Sequence, residues 1–283
     1  MNIIQLFSLL DIKTDQILAF GAEDYVRIEK KINFEKKINP EIEANTGQNL
    51  IIALKNYKEE LLFVASNHIL FSFFTHDNHF SKKHFSDYKQ TVSDEKMKEF
   101  IALFLAADLI SFFSFKLSKG WLHDLEDLDL LLTLKRYFPE EIIYKMGSLL
   151  YSKLDFAISQ LTASITNDFS NIEYIKYGTF YDLLSHFTTF ELDRKIVVLL
   201  NLVSEHYTKR TDTIFFSSVL KSMASYKAYI EEISKLLIES REILMKPKKT
   251  HENKKTEENT KIDLVIKIML AILFLMIVLY KLK

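Results

Sequence analysis

Only five glycines and three prolines are spread through 283 residues. Tight turns draw on those residues, and a sheet needs many turns. The scarcity therefore predicts an all-α protein: a multi-helix bundle or a short helical-hairpin stack, of about eight to ten helices, many of roughly twenty residues. Hydrophobic residues make up 48% of the chain, ample for a core. Start signals recur at Asn39-Pro40, at Phe138-Pro139-Glu140-Glu141, and at Thr91, Ser170 and Thr188, each followed three residues on by an acid. Without a fixed-period repeat, no named solenoid is indicated.

The last part of the sequence has a different character. Residues 264–280, LVIKIMLAILFLMIVLY, are apolar except for Lys267. As a helix they span roughly 25 Å, slightly less than a ~30 Å hydrocarbon core. Lys267 lies one turn inside, where its stem can snorkel, and Tyr280 and Lys281 mark the far interface. The sequence thus reads as residues 1–245 forming one cytosolic all-α domain, residues 246–261 a basic flexible linker, and residues 262–283 a C-terminal transmembrane tail anchor. Six lysines in the linker, against Lys281 and Lys283 beyond the span, place the linker in the cytoplasm. The initial MNIIQLFSLLDIK lacks the basic start of a signal peptide. Two rival apolar segments, 100–115 and 61–74, read better as core helices; the first carries Asp108 at its middle.

Charge is distributed to match. The linker carries net +3 and residues 262–283 net +2, so the chain's −1 leaves −6 on residues 1–245. Five arginines against 32 lysines leave few bidentate readers of phosphate or base. An acidic, arginine-poor body points away from nucleic acid. With no cysteine, disulfides, zinc ribbons and thiol nucleophiles are excluded. No two glycines fall within one phosphate-binding loop, so no nucleotide cofactor is expected.

Four weak sites remain. His76, Asp77, His79 and His84 combine imidazoles with a carboxylate, as a divalent metal needs, although their spacing matches no established site. His123-Asp124 opens an acidic helix, as a pair in a metal-dependent hydrolase would; its bland reading is a carboxylate at a helix start. Asp108 in an apolar run is either a functional acid, a paired structural one, or a helix edge facing solvent. Finally, Val219, Met223, Tyr226, Ile230, Ile233, Leu237 and Leu244 follow a heptad spacing. That seam reads either as packing onto the bundle or as a coiled-coil surface for self-association or a partner helix.

The functional expectation is a tail-anchored, single-pass, non-enzymatic helical module that holds a protein partner at a cytosolic membrane face. An oligomerising, pore-forming effector gathered by the seam and a metal-dependent hydrolase are the alternatives.

Overall fold

A computed structural model describes residues 1–75, 92–163, 168–209 and 213–245. Among these the chain is all helical, with no strand. It divides into two compact units: Met1–Lys119 with Asp127–Met146, and Gly120–Glu126 with the chain from Gly147 on. A single domain over 1–245 is the simpler reading of the sequence. Chains approaching about 250–300 residues, however, tend to split their core rather than enlarge it.

The first unit contains α1 (Ile3–Leu9), a 3-10 turn (Thr14–Ala19), α2 (Ala22–Ile38), α3 (Ala44–Asn56), α4 (Lys58–Ser66), α5 (His68–Thr75), α6 (Asp94–Phe104) and α7 (Ala106–Lys119). Helices α8 (Leu122–Leu132) and α9 (Glu140–Ala163) follow, with a 3-10 turn (Lys135–Tyr137) between them, and the boundary between the units falls inside both helices. The second unit continues with a 3-10 turn (Ser170–Lys176), α10 (Gly178–Ser185), α11 (Phe190–Thr208), α12 (Thr213–Ser222), a 3-10 turn (Met223–Ser225) and α13 (Glu231–Met245).

The thirteen α-helices among the described residues are more, and mostly shorter, than the sequence led us to expect. The breaks need no glycine or proline, because side-chain oxygens take over the helix-end donors. Asn67 Oδ1 accepts the N–H groups of Ile69 and Leu70 at 3.1 and 3.0 Å, which ends α4 and starts α5 within the 61–74 segment. Asn2 caps α1 in a capping box with Gln5, and its amide donates to Phe74 O at 2.9 Å, tying α1 to the end of α5. Thr189, one residue after the expected Thr188, accepts from Leu192 N at 3.1 Å and starts α11. At Asn39-Pro40 the expected start is displaced: Asn39 closes α2, and α3 begins only at Ala44. Ser170 opens a 3-10 turn rather than an α-helix, and its N–H donates to Asp168 Oδ1 at 2.9 Å. Pro139 precedes α9 as expected.

In the first unit α1 packs on α3 and α5, α2 on α3, and α4 on α3, α5 and α6. Phe73, Phe74, Phe100, Phe113 and Phe138 are fully buried there. The 100–115 segment is not one central helix. It breaks at Leu105, and α6 and α7 meet at 81°. Each half buries one side only: Phe100, Ile101, Leu109 and Phe113 face inward, while Leu103 and Phe115 are exposed. No single helix among the described residues is long and apolar enough to cross a membrane; α6 and α7 reach that length and apolarity only together, across the bend. In the second unit α12 packs on α11, α10 and α13. The span expected at 264–280, with Lys267, Tyr280 and Lys281, and the linker 246–261 lie outside the described residues.

Candidate functional site

The chain turns at Gly120, whose φ of +66° belongs to the left-handed region that glycine enters without strain. A side chain there would meet Lys153 and Tyr174 only at ordinary contact distance, so the backbone angle alone calls for glycine. Beyond the turn, Asp124 lies in the first turn of α8, where a carboxylate offsets the positive helix end. It is buried, and His123 Nε2 stands 3.7 Å from its Oδ2. The His123 ring is half exposed and lies 5.5 Å from the ring of Trp121. Behind the turn, the Lys153 ammonium sits 4.4 Å from the centre of the Tyr174 ring, and the Tyr174 hydroxyl donates to Lys153 O at 2.7 Å. Burial lowers the pKa of Lys153 and raises that of Tyr174. His123 and Asp124 are therefore adjacent as the sequence suggested. Among the described residues, though, no group of three His, Asp or Glu side chains is placed to hold a metal ion. Within the acidic start of α8, Asp127 forms an ion pair with Lys116 at 2.5 Å, both largely buried.

Asp108 is not at the centre of a buried helix. It lies in the first turn of α7 and is half buried. His76, Asp77, His79 and His84 lie outside the described residues.

The heptad seam is a correction. Its residues do not share one helix: Val219 lies in α12, Met223 opens a 3-10 turn, residues 226–230 are not helical, and Ile233 and Leu237 belong to α13. The break is held by polar side chains. Asp193, fully buried on α11, accepts the Tyr226 hydroxyl at 2.7 Å, Tyr229 N–H at 3.2 Å and Ile230 N–H at 2.7 Å. Ser185 Oγ accepts Lys227 N–H, and Ser234 Oγ accepts Ala228 N–H, both at 2.8 Å. The four backbone N–H groups of residues 227–230 thus donate to side-chain oxygens rather than to helical carbonyls, so a continuous helix is not needed. Val219, Met223, Tyr226, Ile233 and Leu237 are buried within the second unit, and Ile230 is half buried. They pack onto the bundle. The Leu244 side chain lies outside the described part. Burial raises the Tyr226 pKa, and donation to Asp193 raises it further, so the hydroxyl stays a donor.

A second buried acid has the opposite character. Glu60, in the first turn of α4, is buried, and its Oε1 finds no hydrogen-bond partner among the described residues. Desolvating a carboxylate without full compensation is destabilising. A Glu60→Met chain is therefore expected to be more stable by about 1–2 kcal/mol, less whatever the helix dipole returned. Urea denaturation should show a higher midpoint with an unchanged slope; a lower midpoint would mean the carboxylate has a partner.

No family model, no curated protein and no solved structure matches the chain.

Proposed function

We propose that the protein is a membrane-anchored, non-enzymatic helical module that carries an interaction surface at a cytosolic bilayer face. The apolar run 264–280, joined to the helical units by a lysine-rich polar segment, carries this reading. Further support comes from how the polar interior is used. Asp193 and Asp127 are engaged in holding helices together, and large apolar side chains such as Phe34, Ile214 and Ile238 stand on outer helix faces. Burial of Val219, Met223, Tyr226, Ile233 and Leu237 is a further observation in favour of this reading over the oligomerising alternative.

The test is fractionation of the expressed protein. The full chain should remain with membranes through alkaline carbonate washing, and deletion of 264–280 should release it. Release of the full chain by carbonate would defeat the anchored reading. Crosslinking from native membranes should then recover a partner with the full chain.

A further inference from the structure

Helix α2 has two apolar faces, and only one of them is used for folding. Ile28 and Ile32 are buried. Gly47 of α3 admits Ile32 closely: a side-chain carbon at Gly47 would come within 2.8 Å of Ile32 Cγ2. This contact fixes which side of α2 faces outward. On that outward side stand Val26, Phe34 and Ile38, at 50%, 61% and 63% exposure. At 3.6 residues per turn they share one broad face with Arg27, Lys30, Lys31 and Lys37, and with a single acid, Glu23. The acids Asp24, Glu29 and Glu35 fall toward its flanks. Arg27 is paired to Asp24 at 2.8 Å and Lys31 donates to Leu10 O at 3.2 Å, while no ion pair to Lys30 or Lys37 occurs among the described residues. Beside the face lies a groove of about 540 Å³, lined by Leu9, Leu10, Lys30 and Phe34 together with the acids Asp11 and Glu35. Asp11 is neutralised by Lys13 at 2.7 Å.

A surface helix ordinarily turns a polar face to water. Large apolar groups interleaved with lysines instead suit a bilayer interface, where the rings and aliphatic chains enter the headgroup boundary and the ammonium groups meet lipid phosphates. The face carries four cations to one anion, in a body of net charge −6, so its complement is negative. We infer that the outer face of α2 docks on an anionic lipid bilayer. The proposal rests on the anchored reading, because residues 264–280 would keep α2 close to that surface.

The absence of cysteine permits a clean label. A single cysteine at the exposed Asn33 (Asn33→Cys), carrying a polarity-sensitive dye, reports on the face in the full chain. The chain is reconstituted with vesicles of phosphatidylcholine alone or with added phosphatidylserine, and flotation is measured beside emission. The dye should shift to the blue with anionic vesicles and not with neutral ones. Lys30→Glu with Lys37→Glu should lower the docked-to-undocked ratio by about tenfold or more. Raised salt should weaken docking in the same direction, as should Phe34→Ser. None of these changes should alter flotation. A chain that floats without any anionic shift overturns docking and leaves anchoring intact. An anionic shift in a chain that fails to float with neutral vesicles supports docking and defeats anchoring. An equal shift with both vesicle types overturns the charge-dependent docking. A shift without vesicles that grows with protein concentration overturns it too, and assigns the face to a second copy.

Discussion

An Asp193→Ala chain is expected to lose about 3–5 kcal/mol of stability, because three donors that Asp193 satisfies are left in or near the interior. The Tyr226 hydroxyl is the costliest of them, since Tyr226 is 1% exposed. Trp121 is the only tryptophan and lies in the same unit, so its fluorescence follows the denaturation directly. Amide exchange at Tyr229 and Ile230 should accelerate together in native conditions, before global unfolding. Asp193→Asn keeps one acceptor and should fall between the two. Tyr226→Phe should cost about 1–2 kcal/mol alone and nearly nothing in the Asp193→Ala background. A loss below about 1 kcal/mol for Asp193→Ala would mean that the turn stands without the carboxylate.

Asp193 also shows where sequence reasoning fell short. Leu192, Ile196, Leu199, Leu200 and Val203 form the buried face of α11, and Asp193 sits among them at helical spacing. A lone acid on an apolar stripe is a legible signal of a buried, satisfied carboxylate, and it is a stronger signal than Asp108, which merely lay near many apolar residues. The seam misled for a related reason. Two helices and a turn that each bury one side can keep a four-three spacing across a break, and apolar spacing alone does not distinguish them from one long helix. Glycine and proline scarcity correctly indicated that the described residues are all helical. It overestimated helix length because Asn2, Asn67 and Thr189 supply ends without either residue. The outward face of α2 was readable in principle from Val26, Phe34 and Ile38 among lysines. What the sequence did not reveal is which of the two apolar sides of α2 meets α3, since that depends on the close approach at Gly47.

The second large effect is expected at Phe216. Its ring is fully buried and lies 5.0 Å from that of His206, nearly parallel, with the rings of Phe169 and Phe215 edge-on at 4.9 and 5.2 Å. His206 is fixed by its own contact, Nε2 to Leu161 O at 3.0 Å. One side chain of α12 thus joins α11 to the segment that leads into the 3-10 turn at Ser170. Phe216→Ala should cost about 3–5 kcal/mol, the transfer loss and the cavity acting together. Phe216→Leu keeps most of the volume but none of the ring geometry, so the aromatic share should remain as a loss of about 0.5–1.5 kcal/mol for each ring pair. Urea midpoints followed through Trp121 separate these contributions. If Phe216→Leu is as damaging as Phe216→Ala, ring stacking rather than filled volume holds α12 to α11. If Phe216→Ala costs less than about 1 kcal/mol, the site collapses around the gap and the cluster is not a rigid joint.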